Sequence, residues 1–385
     1  MITKTSSLLG LLVVWALADA VVAYEPVVRS RTPVAIPDLP GYVTLKCDFH
    51  IHTVFSDGLV WPTVRVEEAW REGLDAIAIT DHIEYLPHQR DLPVNHNRAY
   101  EIARPQGDAL DIIVIRGSEI TRGMPPGHLN AIFLTDSAAL DVEDWREAVA
   151  EAKRQGAFIF WNHPGWSAQL QADGVVRWYP EHTELLEAGL LHGIEVANGR
   201  SVYPEALAWG LEKPLTLLSN SDIHNPLNLD YQVHAGDHRP LTLVFARERS
   251  GSGIQEALVA RRTVVYASHR LMGEQQYLEP LFAAAVTLRT AEVTLAGNRG
   301  VNLQIHNHSD VPFLLERSGA LSELSFPAKL TLPPHRTVLA QVRSTATDLS
   351  ESRALRLPYR VTNLLVGPDR SLETGLDLRV NFLPK

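Results

Sequence analysis

The feature that most constrains this chain is a recurrence: histidine, aspartate or glutamate stands at the edge of one short apolar run after another. Val43-Thr44-Leu45-Lys46-Cys47 leads into Asp48-Phe49-His50-Ile51-His52-Thr53, with Ser56-Asp57-Gly58 close behind. In a β-strand successive side chains alternate faces, so His50 and His52 project from one side and can share a cation. The arrangement returns at Asp81-His82, Glu119, His163 and Asp222-Ile223-His224, while His128 opens its run instead of closing it. A lone pair of histidines at this spacing is ordinarily a solvated strand surface. Repetition is what makes a metal centre the better reading.

Between these points the chain alternates strand and helix. Pro62 opens an amphipathic segment, and 75–80 reads as a strand running into Asp81-His82. Strands are expected at 111–115, 128–134, 157–161, 193–198 and 215–220, with helices around 145–152 and 204–211. After His224 the sequence reads as loop until a last helix at 254–258 and a last strand at 261–266. Apolar runs alternating with helices argue for an α/β fold with a parallel sheet buried on both faces. Because the polar residues recur at successive strand ends, a closed barrel accounts for their convergence better than an open sheet.

Composition sets the outer limits. At 385 residues the chain suits one large α/β domain plus a smaller module. Its 45% hydrophobic and 21% charged residues exclude a mainly disordered chain. A net charge of −10 with scattered Lys and Arg argues against a surface for long nucleic acids. Sixteen histidines against three methionines again point toward metal ligation. Lys4, the apolar run 8–18 and small residues up to Ala23 read as a signal peptide over 1–23, so export to a periplasm or beyond is expected, without stable membrane insertion. An uncleaved anchor is the alternative. A proline-rich lead-in follows over 24–42, and the single Cys47 excludes an internal disulfide. The α/β domain is expected over 43–279. From 280 to 385 the helical period gives way to short alternating runs, the pattern of a small β-sandwich, plausibly immunoglobulin-like.

Carboxylate and imidazole ligands suit zinc, manganese or iron, and the lack of thiolates argues against a purely structural zinc site. A carboxylate such as Glu119 can bridge two cations, and water held between them is acidified to hydroxide near neutral pH. Phosphate esters are the electrophiles such a site fits best.

Taken in order, His50-x-His52, Ser56-Asp57-Gly58, Thr80-Asp81-His82, Gly117-Ser118-Glu119, His128, Asn162-His163-Pro164 and Ser221-Asp222-Ile223-His224 resemble the motifs of the polymerase and histidinol phosphatase (PHP) family, over about residues 43 to 275. The resemblance implies a distorted barrel of seven strands and helices, followed here by the sandwich, and a centre of two or three divalent ions. It assigns His50, His52, Glu119 and Asp222 to one metal, and Glu119, His128 and His163 to a second. Asp57, His82 and His224 fall to a third, with Glu119, Asp222 and His224 closest to catalysis. The likeness is to the family's small-substrate phosphoesterases, since no polymerase follows.

Several residues are expected around a substrate. Arg122, beside the 123–127 loop, Arg200, at the end of the 193–198 strand, and His234 are candidate phosphate or leaving-group contacts. His238 shares that last role, and the basic loop of His88, Arg90, His96 and Arg98 reads mostly as surface. Glu195 is either an acceptor behind a ligand histidine or a buried structural carboxylate. His306-x-His308 in the tail lacks partners and reads as a strand face. The expected function is metal-dependent hydrolysis of a small phosphate ester. The alternatives are a nuclease or phosphodiesterase acting on nucleic acid, or a non-catalytic metal-binding module. Oligomeric state is not readable.

Overall fold

Short strands buried on both faces form the centre of the fold: β1 (Val43–Asp48), β2 (Ala76–Ile79), β3 (Ile113–Ile120), β4 (Leu129–Ile132), β5 (Phe158–Trp161), β6 (Gly193–Asn198) and β7 (Thr216–Asn220). They belong to a computed structural model that describes residues 30–384 except 298, 347 and 348. The expected signal segment 1–23 and the first part of the lead-in lie outside the described residues. Hydrogen bonding joins the strands in the order β1-β2-β3-β4-β5-β6-β7. The ring closes just past the strand ends, where Ile51 bridges Ile223, Asp222 N donates to His50 O at 2.8 Å and His52 N to Ile223 O at 3.2 Å. This is a distorted seven-stranded barrel.

The distortion has two sources. β1, β2 and β3 are mutually parallel, as are β5, β6 and β7, but β4 runs antiparallel to both its neighbours. Only a short loop separates Ile120 from Leu129, too few residues for the crossover a parallel strand needs. The reversal places the start of β4 at the barrel mouth, which is why His128 precedes its strand. The second source is an unexpected strand, β8 (Leu241–Ala246), in the stretch expected to be loop. β8 pairs antiparallel with β1 and with β9 (Thr263–Ala267), and it abuts β7 through Thr242 Oγ1, which accepts from Ser219 N at 2.9 Å. The all-parallel expectation is corrected accordingly.

Helices α1 (Pro62–Arg71), α2 (Arg98–Leu110), α3 (Trp145–Arg154), α4 (Pro180–Glu187), α5 (Pro204–Glu212) and α6 (Gly251–Val259) complete the barrel. Proline begins α1, α4 and α5, where its missing N–H leaves no intrahelical bond unmade. Asp144 and Ser250 cap α3 and α6 by accepting from backbone N–H groups. After α1 the chain turns at Gly73 with φ +76°, where a Cβ would lie 2.6 Å from Thr32 O. No other residue lets the lead-in pass so close. α2 was not expected, because Pro105 and Gly107 interrupt its pattern.

α7 (Gln275–Ala285) leads directly into β11 (Val286–Leu288), so the boundary expected at 280 falls inside a helix. One sheet of the C-terminal sandwich contains β11, β13 (Gly300–Asn307) and β16 (Thr337–Ser344). The other contains β12 (Glu292–Ala296), β14 (Phe313–Arg317), β15 (Lys329–Leu332) and the long hairpin β17 (Ser352–Gly367) and β18 (Arg370–Leu383). Strand β10 (Arg270–Gly273), paired with β9, also pairs parallel with β17, Leu271 opposite Leu364, so one continuous sheet runs through both modules. Phe282 of α7 packs edge-on against Phe313 at 5.2 Å, within a hydrophobic core that contains residues of both. His306 and His308 make hydrogen bonds to Thr337 and Thr287 on the surface. Among the described residues, no helix is long and apolar enough to cross a membrane.

A shared core predicts joint unfolding. Phe282→Ala is expected to cost about 3 kcal/mol and to lower a single calorimetric transition. Two separated transitions would contradict the shared core.

Candidate metal centre

Four atoms from three parts of the chain meet at the barrel mouth. His50 Nε2 lies 3.0 Å from Glu119 Oε2, 3.1 Å from His52 Nε2 and 3.1 Å from Asp222 Oδ1. His52 Nε2 lies 3.1 Å from the same two carboxylate oxygens. The His50 ring is oriented from behind, since its Nδ1 lies 2.9 Å from Glu195 Oε1. A carboxylate accepts, so Nδ1 carries the proton and Nε2 presents a lone pair to the other three atoms. Lone pairs converge there with too few protons to separate them.

Two further groups adjoin the first. His128 Nδ1 lies 2.5 Å from Glu119 Oε1, yet neither atom has a hydrogen-bond partner, and His163 Nε2 lies 3.8 Å from the same oxygen. Asp57 Oδ1 lies 3.2 Å from His224 Nε2, 3.5 Å from His82 Nε2 and 3.6 Å from His52 Nδ1. His224 Nδ1 is 2.7 Å from the Asp222 carbonyl, which fixes the proton there and leaves Nε2 free to ligate. The nine residues expected as ligands thus form three groups able to hold an ion: His50, His52, Glu119 and Asp222; Glu119, His128 and His163; and Asp57, His82 and His224, which His52 also joins. Glu119 gives one oxygen to each of the first two. Their donor set, all nitrogen and oxygen and largely buried, fits borderline divalent cations.

The charge balance of the bare side chains says the same. Burial pushes Glu119 up, but His82, His50 and His128 outweigh it and hold the carboxyl well below its usual value. Asp57 and Asp222 are likewise held far down by their histidines against burial. Burial pushes His50, His82 and His224 down, and the carboxylates overcome it, raising His82 to about 9. The carboxylates demand positive charge at this spot, which protons supply when no cation does.

Residues with no ligating role hold the arrangement. Glu195 also accepts from His163 N at 2.7 Å, from Asn198 Nδ2 at 2.8 Å and from Asn220 Nδ2 at 2.9 Å, so it is an acceptor behind a candidate ligand. Asp81 accepts from Thr53 N and Oγ1 and from Ser56 Oγ, shaping the loop that carries Asp57. Arg65, which sequence reasoning missed, is fully buried on the inner face of α1. Its guanidinium donates to the carbonyls of His52, Ile223, His224 and Asn225, tying together the two loops that close the ring. An arginine in the apolar register of a helix was the available signal.

The surrounding cavity of about 530 Å³ is lined by the ligand groups together with Tyr85, Trp166, Tyr203 and Arg200. Arg200 is held at the rim by Asp237, with Nη2 2.6 Å from Oδ2. Two expected substrate contacts are corrected. Arg122 does not line the cavity, because its guanidinium is spent on Glu84 at 2.6 Å and on the Val142 and Glu143 carbonyls. His234 is exposed in a short turn outside it. His238 lies elsewhere, stacked on Tyr266.

A barrel with this mouth, joined to an Ig-like sandwich, defines a two-domain PHP-like protein. Residues 286–377 match the model of the DUF5001 family, an Ig-like domain. A crystal structure of a two-domain protein from Bacteroides vulgatus containing a predicted PHP-like metal-dependent phosphoesterase superposes with a TM-score of 0.86 at 46% identity, over 91% of this chain and 100% of that one. An uncharacterized protein of Methanocaldococcus jannaschii, MJ1295, is 42% identical over 196 residues, 48% of this chain and 84% of its own length. The chain belongs to this family of PHP-like metal-dependent phosphoesterases.

Two outcomes follow from the geometry. Glu195→Gln is expected to weaken divalent-metal affinity roughly 10- to 100-fold in calorimetric titration; unchanged affinity would show that Glu195 does not orient the ligands. In metal-stripped protein the raised histidines contribute stability that is complete below their ordinary value of 6.5 and is lost as pH passes the folded value, about 9 for His82. The depressed carboxylates act in the opposite sense and lose their contribution only in strong acid. Melting temperature should therefore fall from pH 6.5 to 9, and a flat or rising profile would contradict the charge balance.

Proposed function

We propose that the chain hydrolyses a phosphate ester of a small molecule at the barrel mouth, with His50, His52, Asp57, His82, Glu119, His128, His163, Asp222 and His224 as metal ligands. The observation that carries this reading is the convergence of His50 Nε2, His52 Nε2, Glu119 Oε2 and Asp222 Oδ1 within 3.1 Å of His50 Nε2. When bound, two or three divalent cations such as zinc, manganese or iron neutralise the phosphate oxygens and acidify water as the nucleophile. Glu119, with an oxygen in each of two groups, fixes the spacing of those ions, and Asp222 and His224 orient the attacking side.

The chain's own residues account for selectivity. Without bound cations the mouth is rich in carboxylates, so an anionic substrate binds only after the ligands are loaded. Arg200 offers a guanidinium at the rim. The rings of Trp166, Tyr85 and Tyr203 suit the organic part of a small ester. A cavity of about 530 Å³ favours such a molecule over a polynucleotide, as does the net charge of −10. The segment 1–23 supports export, so the ester would be met outside the cytoplasm.

A panel of phosphomonoesters, phosphodiesters and short oligonucleotides, assayed with and without chelator, tests the proposal. Small-ester turnover is expected to vanish on chelation and to return with added divalent metal. Glu119→Gln should lower kcat/KM by at least roughly a hundredfold, the figure for losing even a group behind a ligand. Turnover indifferent to chelator, or confined to oligonucleotides, would overturn it.

A further inference from the structure

The lead-in, barrel and sandwich enclose a second cavity of about 420 Å³ that shares no lining residue with the mouth. Val34, Val233, Pro312 and Tyr266 give it largely apolar walls, and Glu72 and His238 bring polar atoms to it. Glu72 follows α1 and is 5% exposed. Its Oε2 accepts from Arg239 Nε at 2.6 Å, while its Oε1 has no hydrogen-bond partner. His238 Nδ1 lies 2.6 Å from the Arg239 carbonyl, so the proton sits on Nδ1 and Nε2 is a bare acceptor, also without a partner. The other carboxylates lining the cavity are already occupied, Asp237 by Arg200 and Asp310 by Ala35 N and His335.

Buried acceptors without donors are rare in folded proteins and expensive to leave unmatched. The charge count adds a sign to the requirement. Arg239 lies between Glu72 and Asp48, 3.1 Å from Asp48 Oδ2, so two buried carboxylates share one guanidinium. Burial pushes Glu72 up even against the pull of Arg239, the response of a carboxyl short of positive charge. Burial pushes His238 down and keeps its ring neutral.

We propose that this cavity is a second binding site, for a small primary ammonium compound with an apolar body, whose N–H donors meet Glu72 Oε1 and His238 Nε2. Its volume is in the range of ordinary ligand pockets. The site also connects to the mouth. Asp48 accepts from Ser221 N at 3.0 Å and Ser221 Oγ at 2.5 Å, and Ser221 precedes Asp222 and lines the mouth cavity. Asp237 lines the second cavity while holding Arg200, which lines the first. Two ion pairs thus link an occupant of one cavity to residues of the other.

Calorimetric titration of the full chain with butylammonium and with butanol tests this without reading any hydrolysis, so it stands apart from the proposed activity. Butylammonium is expected to bind a single site about tenfold tighter than butanol, the difference between a charged and a neutral hydrogen bond. Glu72→Gln should erase that preference. Val34→Trp, which fills the cavity without touching the ion pairs, should abolish binding of both. Equal affinity for the two probes, no saturable binding, or binding unchanged in Val34→Trp would overturn the proposal.

Discussion

The mouth of this protein depends on one closure: the segment after β1 lies against the segment after β7. The Ile51–Ile223 bridge and the bond from Asp222 N to His50 O bring together two stretches of chain that are far apart in sequence. Asn220 Oδ1 accepts from Phe49 N at 2.8 Å, Asp48 accepts from Ser221, and Arg65 spans both loops from α1. With that seam closed, His50, His52, Asp222 and His224 meet at one end of the barrel, and β3 and the reversed β4 add Glu119 and His128. Opening it would scatter the set.

What the seam assembles is electrostatically unstable by itself. Carboxylates and imidazole lone pairs packed within hydrogen-bond distance, and mostly buried, have no low-energy arrangement without positive charge. The backbone is held in an uncommon conformation at the same place, with His163 at φ 27° and Asp222 at φ 51°, the left-handed region that non-glycine residues seldom adopt. Glu195 and Asn198 brace both positions, Glu195 through His163 N and Asn198 by donating to Asp222 Oδ2 at 3.3 Å. Packing and hydrogen bonds impose a geometry that cations, once bound, would reward.

The candidate ligands were legible in the sequence because each follows or precedes a short apolar run, and strand ends in a barrel converge. Their partition into three groups follows from the same convergence. The reversal of β4 was visible only as a histidine on the wrong side of its run. β8 was hidden in a stretch rich in polar and turn residues, and α2 behind Pro105 and Gly107. Arg122 and His234 were misplaced for a different reason: loop side chains find partners set by tertiary packing, here Glu84 for Arg122, and no period encodes that choice. Arg65 went unseen because its partners are backbone carbonyls, which leave no trace in residue type.

The sandwich is not an appendage. Through β10 and β17 it extends the barrel's own sheet, and with the lead-in it walls the second cavity, where Asp310 N donates to Ala35 O at 2.9 Å. The measurement that bears most directly on the whole account is anomalous scattering from crystals of the protein, with the metal content counted in the same preparation. The account predicts two or three divalent ions per chain, with peaks between His50, Glu119 and Asp222 and beside His128 and His163. A protein that carries no ion at the mouth after incubation with zinc or manganese, while folded, would contradict it.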